Sequence, residues 1–430
     1  MKKFLHITLP ILLLCVLSLF LYSCGNGAAY SSDDDTDSDY INTTVYGSGY
    51  INVKNPKFGA MGDGITDDTF AIQKAIDSAT GGNTVFFPAG SYIISSTLRI
   101  SANGVHLKGQ GTGATTIYNT STNLDSFYFG GNTQQVMKCS ISDMSISSTV
   151  SKTSGAAIRF GSDTIDIRNC YAYNLDINGH YDGIVLNNTT TVYLHDIILT
   201  SGGIHGTGIY ISGGNDHYLN RVSLWNYSVN IGIYSTGATW IDNVDAMVAD
   251  TNGLEIKASN GDITWSWISN SAFDSSGSNG IYISSSGNQV RGLNFSNVWA
   301  STNGTNGIYI SGNGNIDGIQ FIGARIFNNK ANGVSVTSGK NITIDTSHIS
   351  GNTGDGIIFS SNVSEFSVRN CRIGPMAGFS DIQQNGIYVE GTSSNHYIIL
   401  GNDLRGNSVG LLNNSQGAVD SVVSNNLNGQ

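Results

Sequence analysis

Residues 279–310 read NGIYISSSGNQVRGLNFSNVWASTNGTNGIYI. The stretch begins and ends on the same phrase, and between the two copies lie short apolar bursts parted by Gly, Asn and Ser. Within a burst the apolar residues alternate with period two, which predicts strands rather than helices. The phrase, or a near variant, recurs from DGIVL at 182 to VGLLN at 409. Its glycines are Gly183, Gly208, Gly232, Gly253, Gly280, Gly307, Gly333, Gly356, Gly386 and Gly410, at spacings of 25, 24, 21, 27, 27, 26, 23, 30 and 24. A near-constant period of about 25 residues signals a stacked repeat. The leucine framework of leucine-rich repeats is missing, and a propeller blade needs a longer period. Three short strands fill one period. The expectation is therefore an all-β chain coiled as a single-stranded right-handed parallel β-helix, each strand pairing with its equivalent one turn on.

Composition agrees. Charged residues make up only 12% of the 430 positions, while there are 54 glycines and 4 prolines. Regularly recurring Ile, Val, Tyr and Phe separate this pattern from a disordered tract. The net charge of −11 argues against a nucleic-acid partner, which would need a basic face. It also gives no broad attraction for an acidic polysaccharide, so such a substrate would need local Lys, Arg or a bound cation.

Ahead of the repeats, residues 55–79 read NPKFGAMGDGITDDTFAIQKAIDSA. Thr66 is expected to cap a short helix with Asp67 and Asp68 in its first turn, and Ala71, Ile72, Ala75 and Ile76 give that helix one apolar face. A phosphate loop would need a Lys and a different glycine pattern. The pieces FGAMGDGITDDT, AIQKAID and VFFPAGSY resemble the start of the glycoside-hydrolase-28-related, or pectate-lyase-3, domain of rhamnogalacturonase- and epimerase-like β-helix proteins. The resemblance covers about residues 55–120 and implies a β-helix that works on polysaccharide, as in many such enzymes and phage tailspikes. The catalytic pattern of family 28 polygalacturonases does not carry over. His205-Gly206 and Lys257 have counterparts there, but the paired aspartates are absent and Glu255 stands where an Arg would be.

Residues 1–23 resemble a bacterial lipoprotein signal peptide: a basic Met1-Lys2-Lys3, an apolar core from Leu9 to Tyr22, and Cys24 placed for lipidation. Residues 24–49 read as an acidic, flexible tether and residues 50–430 as the β-helix, with an N-terminal cap over 50–120 and repeats over 150–430. The expected address is the cell envelope, with the chain lipid-anchored to the outer membrane and facing outward. Cys139, Cys170 and Cys371 form no disulfide or zinc pattern and are expected as buried thiols.

Stacking turns each repeat position into a stripe. The residue before each glycine is mostly Asn, a side-chain ladder in expectation. The outward column contains Tyr210, Tyr234, Glu255, Tyr282 and Tyr309, with Lys257 two residues beyond Glu255. Tyrosine rings on a ribbon can stack on sugars and offer hydroxyls. The leading expectation is a hydrolase cleaving glycosidic bonds along this stripe. Glu255 would be its general acid or base and Asp250 or Asp274 the second carboxyl group. The alternative is a lyase or uronate epimerase with His180 and His205 as bases, for which Arg or a divalent cation such as calcium would offset the uronate charge. The third is a glycan-binding, adhesin-like surface protein. No cofactor motif is evident, and the sequence leaves the oligomeric state open.

Overall fold

The computed structural model describes residues 49–131, 135–201, 206–313, 315–375, 383–391, 395–413 and 420–428. Each alternating burst is a strand. In the turn read first above these are Ile281–Ser285, Val290–Ser296 and Trp299–Ser301, and the next turn repeats them as Ile308–Gly312, Ile316–Ile322 and Arg325–Phe327. Tyr282 pairs with Tyr309, Asn294 with Gln320 and Trp299 with Arg325, all in parallel. Three parallel sheets thus wrap one core through about 13 turns of right-handed β-helix.

The asparagine content has a geometric cause. Between the second and third sheets the chain must bend within one residue, and that residue takes a left-handed conformation. Asn174, Asp196, Arg221, Asn243, Asn270 and Asn297 fill the corner on successive turns, with φ between 49° and 57°. Asn and Asp tolerate this region better than other side chains do.

Inside, equal residues stack on equal residues. Ile184, Ile209, Ile231, Leu254, Ile281 and Ile308 form one fully buried column. Phe295 and Phe321 stack at 4.5 Å in another. Each such side chain contributes roughly 1.5–3 kcal/mol by leaving water. Cys139, Cys170 and Cys371 sit in this core as free thiols.

Two amide ladders run along the helix. The expected one links Asn332, Asn306, Asn279 and Asn252, each Nδ2 donating to the next Oδ1 at 3.1–3.2 Å. The second is more deeply buried: Asn303 donates to Asn329, Asn329 to Asn352 and Asn352 to Gln383, each at 2.9 Å.

The glycine-rich opening starts the fold, although the helix begins later than expected, at Thr69 and ending at Asp77. Thr66 lies in the preceding strand Asp63–Asp67. Asp63 is occupied with a turn, accepting the N–H groups of Ile65 and Thr66 at 2.9 and 2.8 Å. Asp68, the residue before the helix, turns its buried carboxylate back to the N–H groups of Met61 and Gly62. Its side chain stitches the loop rather than capping the helix. The apolar face holds: Ile72, Ala75 and Ile76 close the end of the core. Gln73 spans helix and first turn, donating to Arg99 O at 3.0 Å and accepting from Arg99 N at 2.8 Å. Gly90 is required here, since a Cβ on it would stand 2.6 Å from the Gly62 carbonyl oxygen.

Candidate functional site

The outer face of the first sheet carries the stripe. Register runs from Arg99 through Tyr128, Arg159, Val185 and Tyr210 to Gly232, then through Glu255 and Tyr282 to Tyr309. Adjacent rungs are about 4.8 Å apart. Tyr234 was expected on a rung of its own, but Gly232 occupies it. The ladder slips by one residue after Ile211, so Ser212 pairs with Ser235. The Tyr234 ring nevertheless reaches the stripe by folding back over Gly232, where a Cβ would lie 2.6 Å from it. There it meets Tyr210, with ring centroids 4.8 Å apart. A glycine on the stripe is what makes room for a tyrosine from the neighbouring position.

The tyrosines present themselves differently from the expected sugar platform. Tyr282 and Tyr309 stack on each other at 5.6 Å with planes 19° apart, so each pair spends a ring face on its partner. Hydroxyls and edges are what the stripe mainly offers. Asn260 flanks it, donating to Ser212 Oγ at 3.1 Å and reaching the Tyr210 hydroxyl at 3.5 Å.

Glu255 is half-buried on the stripe and accepts the Asn252 amide at 2.8 Å, which makes it the end of the outer asparagine ladder. Lys257 is exposed on the same strand. The two carboxylates expected beside Glu255 lie elsewhere. Asp274 is on the outer side of the third sheet, around a corner, where it accepts Ser301 Oγ at 2.9 Å. Asp250 is in the corner loop that leads into the Glu255 strand, its N–H bonded to Tyr227 O at 2.9 Å. Alternation explains the separation: Phe273 must point inward, which sends Asp274 out on its own sheet.

His180 is not available as a base, because the ring is fully enclosed. Nε2 sits 2.9 Å from Ser126 Oγ and Nδ1 3.1 Å from Asn178 O. Burial, followed by the charge of nearby Lys152, pushes it down to about 3. His205, the other expected base, lies outside the described residues. A second enclosed ring, His217, contacts Thr189 and Thr236 and is pushed down by burial to about 4. Both rings stay neutral in the folded protein, while the unfolded chain protonates them near 6.5. Below that pH the unfolded state binds more protons, so stability falls as pH drops from about 6.5 toward 4. The urea midpoint is expected to decline steadily across that window and to decline less in His217→Asn. A midpoint flat from pH 7 to pH 5 would contradict this account.

The sequence reading missed the stripe's positive end. Arg159 holds Asp125 in a two-pronged pair, Nε to Oδ2 at 2.7 Å and Nη2 to Oδ1 at 3.1 Å. Arg99 lies over the Tyr128 ring at 5.1 Å. Beside Arg159, Asp182 accepts Thr207 N at 2.8 Å, and burial raises its carboxyl above the usual range. At Tyr234, burial first and then the charge of Glu255 raise the phenol. Among the described residues no group of three or more His, Cys, Asp or Glu is arranged to hold a metal ion.

Residues 50–255 match the family described as rhamnogalacturonase A/epimerase, pectate lyase-like, and residues 252–427 match the right-handed β-helix region. The chain has the pectate-lyase-like right-handed β-helix fold. A mannuronan C5-epimerase of Azotobacter vinelandii is 51% identical over 75 residues, which is 15% of this chain and 7% of that protein. Alginate lyase 7 of the same organism is 36% identical over 138 residues, 29% of this chain and 16% of that one. The matches therefore span only a small part of those relatives' length. The A-module of another Azotobacter vinelandii mannuronan C-5 epimerase superposes with a TM-score of 0.62 at 19% identity, covering 87% of this chain and all of that module. That likeness is one of fold.

Proposed function

We propose that this pectate-lyase-like protein acts on a uronate-bearing polysaccharide by removing the proton α to the sugar carboxylate, the step that lyases and C5-epimerases share. The observation that carries the reading is Arg159, a fixed guanidinium on the outer stripe two rungs, or about 10 Å, from Tyr210. Two of its five N–H groups are taken by Asp125, which leaves others for a ligand. Loss of the α proton adds a second negative charge next to the carboxylate, and a guanidinium opposes both. Tyr234, with its ionisation opposed by burial and by Glu255, keeps its phenol proton and can act as a hydrogen-bond donor. Tyr210, two rungs from Arg159, is the stripe group placed to take the α proton, whereas Lys257 lies on a strand four rungs away, about 19 Å. Sequence similarity to proteins named for mannuronan epimerisation and alginate lysis supports the same chemistry.

Hydrolysis fits the geometry less well. Asp182 and Glu255 are three rungs apart, about 14 Å along the axis. A hydrolytic pair needs carboxyl groups roughly 5–9.5 Å apart.

The test is incubation of the protein with alginate in D2O, reading C5 deuterium, unsaturated ends and reducing ends together. Deuterium at C5 or unsaturated ends would support the reading. Reducing ends without either would return Glu255 to a hydrolytic role, and saturable binding without turnover would make the protein an adhesin-like binder.

The same proposal places the protein at the cell envelope, held by a lipid on Cys24, which lies outside the described residues. Cys24→Ala is expected to move most of the protein from the membrane pellet to the soluble fraction. Membrane association that survives the substitution would remove the anchor from the account.

A further inference from the structure

The outer surface of the third sheet has a hollow of about 640 Å³, lined among others by Arg221, Asn243, Asp245, Asn270, Ala272 and Trp299. Its origin is one small residue. Successive rungs of this outer column are Ser223, Asp245, Ala272, Trp299 and Arg325. Ala272 leaves a notch one rung deep between a carboxylate and an indole.

Trp299 differs from the aromatic residues elsewhere on the outside. On the second sheet Tyr171, Tyr193, Tyr218, Trp240 and Trp267 stack in one run at 4.6–5.2 Å and cover one another's faces. Trp299 meets the Phe327 ring of the following turn edge to face, with centroids 4.7 Å apart, but on the rung before it has only the Ala272 methyl and stays 41% exposed. Its orientation is fixed, since the indole N–H donates to Ser301 Oγ at 2.7 Å and Ser301 donates on to Asp274 at 2.9 Å. Asp245 stands two rungs from the indole, about 10 Å along the axis. A pyranose stacked on the indole fills roughly half of that span and turns its hydroxyls to the carboxylate.

We propose that this notch is a second carbohydrate subsite, separate from the tyrosine stripe, that takes a neutral pyranose stacked on Trp299 with hydroxyls on Asp245. Charge selects the neutral sugar. Arg221 gives Nε and Nη2 to Asp196 and Nη1 to Asn220, so unlike Arg159 each of its nitrogens already has a partner and it does not offset a uronate. Asp245 also lies within the field of Asp274, and burial together with that charge raises its carboxyl. A second anion in the notch would be repelled. The inference goes beyond the α-proton reading and does not rest on it.

The experiment titrates the full chain with cellohexaose, mannohexaose, maltohexaose and laminarihexaose, followed by tryptophan fluorescence and calorimetry. Saturable binding of at least one hexaose is expected. Ala272→Leu, which fills the notch from the solvent side, is expected to weaken that binding about tenfold or more. Tyr282→Ala on the stripe is expected to leave it unchanged. Trp299→Ala gives the same reading by a different route should Ala272→Leu fold poorly, and circular dichroism checks both. The proposal is overturned if no hexaose saturates, if the notch variants bind as the native chain does, or if Tyr282→Ala removes binding.

Discussion

Arg159→Gln is expected to lower deuterium exchange at C5 of alginate by about 10²–10³-fold, the usual cost of removing one preorganised charge-stabilising donor. Arg159→Lys should fall between this variant and the native protein, because it keeps the charge but loses the planar fork. The substitution also unpairs Asp125, which keeps the Ala156 N–H at 2.6 Å. Both members of the pair are mostly shielded from water, with side-chain exposures of 28% and 16%. Losing the partner should therefore cost roughly 2–3 kcal/mol, somewhat below the figure for a fully buried pair. A large, rigid β-helix can absorb that loss at 25 °C, so activity and stability separate. Urea unfolding reads the second quantity and the exchange assay the first. If Arg159 only braces the first sheet, Arg159→Gln will shift the urea midpoint and leave exchange per folded molecule near native. A rise in KM with kcat unchanged would limit the guanidinium to binding the substrate carboxylate.

The repeat was legible because the β-helix writes its period directly into the chain. A glycine at the start of most first-sheet strands, period-two bursts and Asn-rich turns each answer one geometric demand, and they recur together. The helix start was not legible to the residue. Asp67 and Asp68 look alike in sequence, and only the loop at Met61 and Gly62 shows that the Asp68 carboxylate is used backward. The second amide ladder was equally hidden. Asn303, Asn329 and Asn352 follow third-sheet strands, away from the recurring glycine phrase.

The site was legible in its middle and dark at its ends. Glu255, Tyr282 and Tyr309 fall on one stripe as the repeat predicts. Arg159 was missed because its turn has Ala157 where later turns have the motif glycine, a rung shown by the pairing of Ile158 with Ile184. The string AAIRF at 156–160 keeps the alternation, and a search on alternation rather than on glycine would have found it. Tyr234 was misplaced for a related reason: the motif residues at 231–235 hold the glycine two residues late, opposite Tyr210, and the ladder then slips past Tyr234. His180 was the costliest misreading. Its spacing to the motif glycine matched that of His205, but spacing carries no information on which side of the wall a ring lies.

Asn329→Ala is expected to be the most damaging single substitution among the ladder residues. Asn329 is 1% exposed, and its oxygen accepts both the side-chain amide of Asn303, at 2.9 Å, and its backbone N–H, at 3.1 Å. Its own amide donates to Asn352 Oδ1 at 2.9 Å and to Ala300 O at 3.2 Å. Truncation leaves up to four buried polar groups short of a partner. At about 1–3 kcal/mol for each group that finds no substitute, and with some relaxation toward neighbours, the loss should be on the order of 3–5 kcal/mol. Asn306→Ala removes the equivalent links from the outer ladder, where the side chain is half-buried and water can replace the lost partners. Its cost should stay near 1 kcal/mol. Because each turn leans on its neighbours, the Asn329 defect should open the turns around it before the rest of the helix unfolds. Hydrogen exchange by mass spectrometry would then show faster exchange confined to the strands near residues 299–350. Equal losses for the two variants, or exchange spread evenly along the chain, would mean that the inner ladder is not what holds successive turns together.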